Sequence, residues 1–430
     1  MTDASVVILG AGQGGFQVAT SLRDNGFDGR IFLIGNEPAL PYERPPLTKG
    51  FLLGHKKKVD LPLRPQMHYE SRRIELLLGE EAVAIDRHTR SVTLRSGAKI
   101  GYSHLVLATG ARNRLLEAAC GIDGVAYIRT LQEAESLRQR LDSAQQTVIV
   151  GAGFIGLELA AVLKKLGKSV RVLETMPRLM GRAVSSSVSD FFAAAHRDWG
   201  SELAFETAVA GIEANADAVR GVRSFDGRFY PADLVLVGIG VVANAELAAQ
   251  AGLPVQNGIV VDEYLRTPDA SISAIGDCAA FPSRYGAGLV RLESVQNAVD
   301  QARCVAARLV GRATAYADVP WFWSDQGDLK LQMVGLTSGA DQTVIRGDPH
   351  ARKFSVFCYQ NGKITGIESV NKPGDHMFGR KLLASGADIA PSEASDPDFD
   401  LKAHLFRHSA SPEKVPAAQV AQIVMTQRAG

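Results

Sequence analysis

Short apolar runs closed by glycine occur twice along the chain, followed both times by a helical pattern and a second apolar run. Val148, Ile149 and Val150 predict the end of a buried parallel strand. Gly151, Gly153 and Gly156 follow, with Ile155 inside the turn. Leu157, Leu159, Ala160, Leu163 and Leu166 then form the apolar side of a predicted helix, which Gly167 stops. Val170–Leu173 reads as a further strand ending in Glu174. The earlier copy begins VVILGAGQGG at Val6, with Gly10, Gly12 and Gly15 in the same spacing, a helix to about Asn25 and a strand over Ile31–Ile34. Both are βαβ units.

The G-x-G-x-x-G spacing has a mechanism when a strand precedes it and a helix follows. Gly151 makes the tight turn, Gly153 lets the backbone approach a pyrophosphate, and Gly156 packs helix on strand. The helix N-terminus faces the phosphates, and Glu174 can accept hydrogen bonds from both ribose hydroxyls. A carboxylate there repels a 2′-phosphate, so NAD(H) is favoured over NADP(H), a preference that Arg178 and Arg182 just beyond would soften. The first unit ends in Gly35-Asn36-Glu37, which leaves Glu37 or the Asn36 amide to hold the ribose. Two half-sites imply two nucleotide cofactors, FAD at the N-terminal one and NAD(P)H in an inserted second domain.

Between the units lies Pro41-Tyr42-Glu43-Arg44-Pro45-Pro46-Leu47-Thr48-Lys49, a loop stiffened by its prolines. Stiffness suits a residue that must be aimed, and Lys49 is the candidate for the flavin edge; the alternative is a solvated surface lysine. His55–Lys58 and the nearby Arg64, Arg72 and Arg73 form a basic stretch able to dock an acidic partner. Residues 74–100 alternate apolar and polar, which predicts a small antiparallel sheet appended to the first nucleotide fold. A buried strand over Leu105–Ala108 runs into Thr109-Gly110, where small residues let a cofactor lie close. Arg129 sits at the crossover, placed to contact a pyrophosphate or ribose.

Helices are predicted over Leu131–Leu141 and Ser185–Trp199, and a closing strand over Ala232–Gly240 mirrors residues 105–110. Asp277, after a short strand at Ser273–Ile275, binds a flavin-side-chain hydroxyl or caps the next helix. Glu293–Ala298 opens a helix whose amides face the flavin carbonyls, with Arg291 and Arg303 adding positive charge. From residue 318 no glycine turn appears. Leu329–Val334, Lys353–Tyr359 and Lys363–Val370 predict antiparallel strands, with a hairpin at Asn361-Gly362. Trp321 and Trp323 open this region as core residues or as cover for a flavin ring, and Ser409–Gly430 reads as an irregular or helical tail.

Composition narrows the class. A chain of 430 residues suggests about three domains, and 46% hydrophobic with 22% charged residues is that of a globular protein. A net charge of +1 removes a global field for nucleic acid. No apolar run reaches transmembrane length, and a strand starting at Val6 leaves no room for a signal peptide, so a cytoplasmic protein is expected. Cys120, Cys278, Cys304 and Cys358 form neither a C-x-x-C pair nor a zinc pattern. No metal is expected, and electrons have no cysteine relay.

GAGQGG, PYERPPLTK, LVLATGA, VIVGAGFIGLELA, VGIG, IGDCA, RLESVQNA and PWFWSDQ occur in that order. As a set they resemble the FAD-dependent NADH:ferredoxin reductases of the glutathione-reductase superfamily, of the putidaredoxin-reductase and dioxygenase-reductase type. The resemblance implies an α/β fold with two Rossmann-like dinucleotide-binding domains, one inserted in the other, plus a C-terminal α+β interface domain. The expected spans are 1–112 and 249–317 for FAD, 113–248 for NAD, and 318–430 for the interface. It implies FAD contacts at Gly14, Asn36, Arg44, Lys49, Ala82, Arg129, Asp277 and Val295, and NADH contacts from Gly151 to Gly156, at Glu174 and at Gly240. Lys49 and Glu158 would lie at the flavin, and Gly35-Asn36 departs from the usual acidic residue. The implied reaction moves hydride from NADH to FAD and single electrons to an acidic [2Fe-2S] ferredoxin serving a cytochrome P450 or a Rieske oxygenase, with Arg64 and Arg303 as docking candidates. Another acceptor such as rubredoxin, or a regulatory flavoprotein of the apoptosis-inducing-factor kind, is the alternative.

Overall fold

Ser5–Leu9 and Gln146–Val150 are each the central strand of a five-stranded parallel sheet. The computed structural model describes residues 4–119, 121–215 and 218–409; Cys120 and nearly all of the predicted tail lie outside the described residues. In the first sheet the order is Ile272–Ala274, His104–Leu107, Ser5–Leu9, Arg30–Gly35, Ile74–Leu78. In the second it is Glu202–Ala204, Ser169–Leu173, Gln146–Val150, Leu234–Val237, Val125–Ala126. Strands covered on both faces need apolar residues throughout, which is why these sequences run rather than alternate.

The two sheets share one register. Leu9 stands between Ile34 and Leu107, and Val150 between Leu173 and Val237, each just before its glycine turn. The Gly10 amide donates to Ile34 O and the Gly151 amide to Leu173 O, both at 2.8 Å. Helix Gln13–Asp24 packs beside helix Val295–Leu309, with Gly14 facing Ala298, and Phe16, Val18 and Leu22 of the one share a core with Ala302, Val305 and Ala306 of the other. The chain crosses between the two nucleotide folds through a ribbon in which Ala111–Asn113 pairs antiparallel with Val241–Ala243. Beyond that ribbon Ala245 and Ala248 already pack in the core of the first fold.

The third region is a five-stranded antiparallel sheet in the order Trp321–Gln326, Leu329–Gly335, Lys363–Val370, Lys353–Gln360, Gln342–Asp348, with helix Pro373–Ser385 on one face. Its other face continues the core of the second nucleotide fold. Phe354 and Val356 join Phe192 and Leu179 there, and Phe191 meets Phe354 edge-on at 4.9 Å. Burying a side chain of that size stabilises by about 1.5–3 kcal/mol, so this contact holds the third region firmly on the second.

Two expectations are corrected. Ile74–Leu78 does not belong to the appended antiparallel sheet; it pairs in parallel with Arg30–Gly35 as the edge of the first sheet. Only Ala82–Asp86, Ser91–Leu94 and Lys99–Gly101 make the antiparallel unit. Alternation fits any strand with one covered face, so it could not tell the two partners apart. Leu166 is not on the buried side of its helix but is the 37% exposed C-terminal cap, where helical periodicity ends.

Candidate active site

The two glycine turns are built alike. Gly10 and Gly151 hold φ of +113° and +101°, which a side chain strongly disfavours. A Cβ on Gly15 would lie 1.9 Å from Gly10 O, and one on Gly156 would lie 2.1 Å from Gly151 O. Gly12 and Gly153 differ: a Cβ on either would meet nothing within 4 Å. These two are the N-caps of helices Gln13–Asp24 and Phe154–Lys165, and neither helix has a side-chain cap. Helices Leu131–Leu141, Ser186–Asp198 and Val295–Leu309 are capped by Thr130, Ser185 and Ser294. Uncapped amides beside open space are what a pyrophosphate requires, so the residues present fit two dinucleotides.

Around the first turn, residues distant in sequence converge. Gly14 lies against Ile275 and Ala298, 3.3 and 3.7 Å from the position of a Cβ. The Arg129 guanidinium pairs with Asp277 at 2.7 Å and lies beside Gly110. Asp277 does not cap the following helix; Ser294 does. Glu37 accepts from the Tyr42 hydroxyl and from Arg44, both at 2.6 Å, and Arg44 also donates to Arg129 O. Glu37, Arg44, Arg129 and Asp277 thus lie in one line, with the two guanidiniums between the two carboxylates and the Arg129 backbone carbonyl joining them. Burial opposes the Arg44 charge, but Tyr42, Glu37 and Asp277 outweigh it and hold its pKa above the ordinary value. Asn36 is exposed at the end of its strand, while Ala82 and Val295 are half-buried. Thr109 donates to Asn244 O at 2.6 Å and its own carbonyl accepts from the Asn244 amide at 2.9 Å, locking the crossover.

At the second turn Glu174 accepts from the Ala152 amide at 2.7 Å and from the Met176 amide at 2.8 Å. Arg178 turns inward, donating to Gly181 O and Val184 O at 2.7 and 2.8 Å, while Arg182 is exposed. Ile155 is 43% exposed just after the turn, and Gly240, with φ of +100°, faces open space.

Lys49 and Glu158 join the two nucleotide folds. The ammonium lies 2.7 Å from Glu158 Oε2, with Glu158 3% and Lys49 21% exposed. Glu158 also accepts from the Thr48 hydroxyl at 2.6 Å and the Ser324 hydroxyl at 2.7 Å. Gln326 donates to Ser324 at 3.3 Å, and its Oε1 accepts from His196 Nε2 at 2.9 Å. Burial holds the His196 pKa below its ordinary value, opposed by the Gln326 contact. Thr48, Ser324 and Asn244 escaped sequence reasoning; the first two sit inside recognised motifs, but only the fold aims them at Glu158.

Trp321 packs into the third region beside His376, with the Arg380 guanidinium over its ring at 4.8 Å, and Trp323 lies next to it at 5.6 Å. In the basic stretch Lys56 pairs with Glu43 and Lys58 with Glu135 at 2.9 and 3.0 Å. Arg64 is exposed, and Arg303 contacts Asp300 at 3.4 Å. The described cysteines 278, 304 and 358 are unpaired, and burial raises the pKa of each, that of Cys304 to about 11. Among the described residues no helix is long and apolar enough to cross a membrane.

Fold and site together define a two-dinucleotide oxidoreductase with a separate C-terminal domain. Residues 4–302 match the Pyridine nucleotide-disulphide oxidoreductase family and residues 321–405 match Reductase C-terminal. The chain belongs to the Pyridine nucleotide-disulphide oxidoreductase family, and its cofactors are FAD and NAD(H). It is 53% identical to rhodocoxin reductase of Rhodococcus erythropolis over 94% of this chain and 95% of that protein. Identity to putidaredoxin reductase of Pseudomonas putida is 40% over 93% and 96%. The ferredoxin reductase for the CYP199A2 system from Rhodopseudomonas palustris superposes with a TM-score of 0.92 at 50% identity, covering 93% of this chain and 99% of that one. The covalent putidaredoxin reductase–putidaredoxin complex gives 0.92 at 38% identity, covering 96% and 100%.

Proposed function

We propose that this chain is an FAD-dependent NADH:ferredoxin oxidoreductase. The observation that carries the reading is the buried Lys49–Glu158 pair, which ties the proline loop of the first fold to the helix opening the second nucleotide turn. FAD when bound accepts hydride from NADH and releases electrons singly, which suits a one-electron acceptor and needs no cysteine pair. The protein supplies orientation and charge. Gly10, Gly12, Gly14 and Gly15 bring backbone to the FAD pyrophosphate. Thr109, Gly110, Arg129 and Asp277 hold the dinucleotide against the crossover. Asn36, Glu37, Arg44, Ala82 and Val295 complete that site, while Gly151, Gly153, Ile155, Gly156, Glu174 and Gly240 hold NADH. Lys49 offers a positive charge to the reduced flavin edge, and Glu158 keeps the ammonium aimed.

The partner is a [2Fe-2S] ferredoxin that feeds a cytochrome P450 or a Rieske oxygenase, in keeping with the relatives named for rhodocoxin and putidaredoxin. Residues 1–112 and 249–317 serve FAD, 113–248 serve NAD, and 318–430 form the interface domain of a cytoplasmic enzyme. Arg64 and Arg303 face the acidic partner. Anaerobic NADH titration followed by a panel of [2Fe-2S] ferredoxins with cytochrome c tests the reading. Flavin bleaching with fast cytochrome c reduction only when one ferredoxin is present is expected; bleaching without transfer to any ferredoxin would overturn it. Charge reversal at Arg64 and Arg303 should raise the KM for ferredoxin and flatten its salt dependence, and no change would move the docking face elsewhere.

A further inference from the structure

The segment Thr175–Ser185 follows Glu174 directly and is bonded to the second glycine turn. The Met180 amide donates to Ala152 O at 2.9 Å, and the Ala152 and Met176 amides both donate to the Glu174 carboxylate. Arg178 folds the segment onto itself through Gly181 O and Val184 O. Its far end is fastened by the third domain. Glu368, on strand Lys363–Val370 and 0% exposed, accepts from the Ser185 amide at 2.9 Å and from the Ser185 hydroxyl at 2.6 Å. Thr337 lies against Glu368 and donates to Ala183 O at 3.2 Å.

A buried carboxylate is costly unless its oxygens are used, and here Ser185, the N-cap of helix Ser186–Asp198, uses both, its amide on Oε1 and its hydroxyl on Oε2. Burial still lifts its pKa above the usual range, against the pull of Ser185 and Arg178. The satisfied network fixes Ser185, and through Arg178 and Met180 it fixes the backbone that meets Ala152 and Glu174. From this geometry we infer that Glu368 is a positioning residue for NADH, acting from the third domain on the segment that frames Glu174. This rests on the assignment of Gly151–Glu174 to NADH.

The test is titration of NAD⁺ into the oxidised FAD-loaded enzyme, with NADH kinetics alongside. Glu368→Gln keeps the volume but turns an amide donor toward the donors of Ser185. The expected result is a rise of about fivefold or more in the NAD⁺ Kd and the NADH KM, the scale of coupling between linked sites, with kcat at saturating NADH and FAD content within about twofold. A lowered melting temperature with an unchanged Kd would make Glu368 a purely structural residue and overturn the inference. If Glu368→Gln does not retain FAD, Thr337→Val decides, with a rise of about twofold or more supporting the inference and no rise refuting it. Wild-type enzyme that binds no NAD⁺ would instead refute the site assignment beneath it.

Discussion

Lys49 and Glu158 stand 109 positions apart in the chain and 2.7 Å apart in space, and each belongs to a different nucleotide fold. Thr48 and Ser324 donate to the same carboxylate, so residues from all three regions meet at one group. A buried charge with three donors is held in one orientation. The ammonium opposite is therefore aimed rather than free.

Replacing Lys49 with Met removes that charge and leaves Glu158 buried with two hydroxyl donors. Stopped-flow reduction of the flavin by NADH should slow by about tenfold or more, since a positioned charge at developing negative charge is worth at least that. An unchanged rate would remove Lys49 from the mechanism. Ser324→Ala leaves Glu158 Oε1 without its donor, and the melting free energy should fall by about 1–3 kcal/mol.

Gly153 and Gly156 should respond oppositely to alanine. Gly153 has φ of −77° and open space, so Gly153→Ala should fold with a loss of no more than about 1 kcal/mol while the NADH KM rises. A Cβ on Gly156 would lie 2.1 Å from Gly151 O, so Gly156→Ala should lower the melting temperature before any kinetic effect is read. Equal melting temperatures for the two variants would contradict this division of roles.

Glu174 should decide between the nicotinamide cofactors. Arg178 is committed to backbone carbonyls, which leaves no guanidinium from that position to welcome a 2′-phosphate. Glu174→Ala should lower the ratio of kcat/KM for NADH over NADPH by roughly tenfold, by removing both the ribose acceptor and the repulsion. A ratio that does not move would place cofactor discrimination elsewhere.

Acid should destabilise the first fold through His104. Burial, with Arg308 nearby, lowers its pKa to about 3, and its Nε2 lies 2.9 Å from the Ser273 hydroxyl. The unfolded chain, with a histidine pKa of about 6.5, takes up the proton more readily, so this contribution is complete above pH of about 6.5 and is lost as pH falls towards 3. Between those limits the slope approaches about 1.4 kcal/mol per pH unit. Denaturant melts at pH of about 6 and 4.5 should show a shallower dependence for His104→Asn than for wild type, and parallel lines would count against it.

The sequence by itself determined both nucleotide turns, their strands and helices, and the antiparallel character of the last region. Those features are local: a positive φ at Gly10 and Gly151, contact at Gly15 and Gly156, and apolar periodicity all act within about one turn or strand of the residues that encode them. Tertiary structure decided which sheet Ile74–Leu78 joins, because alternation names a covered face and not a partner. It also decided that Arg129 meets Asp277, that Ser324 meets Glu158 and that Glu368 meets Ser185, pairs 148, 166 and 183 positions apart. No local preference reaches across such separations; the packing of one domain on another brings those polar groups together, and burial then obliges them to pair.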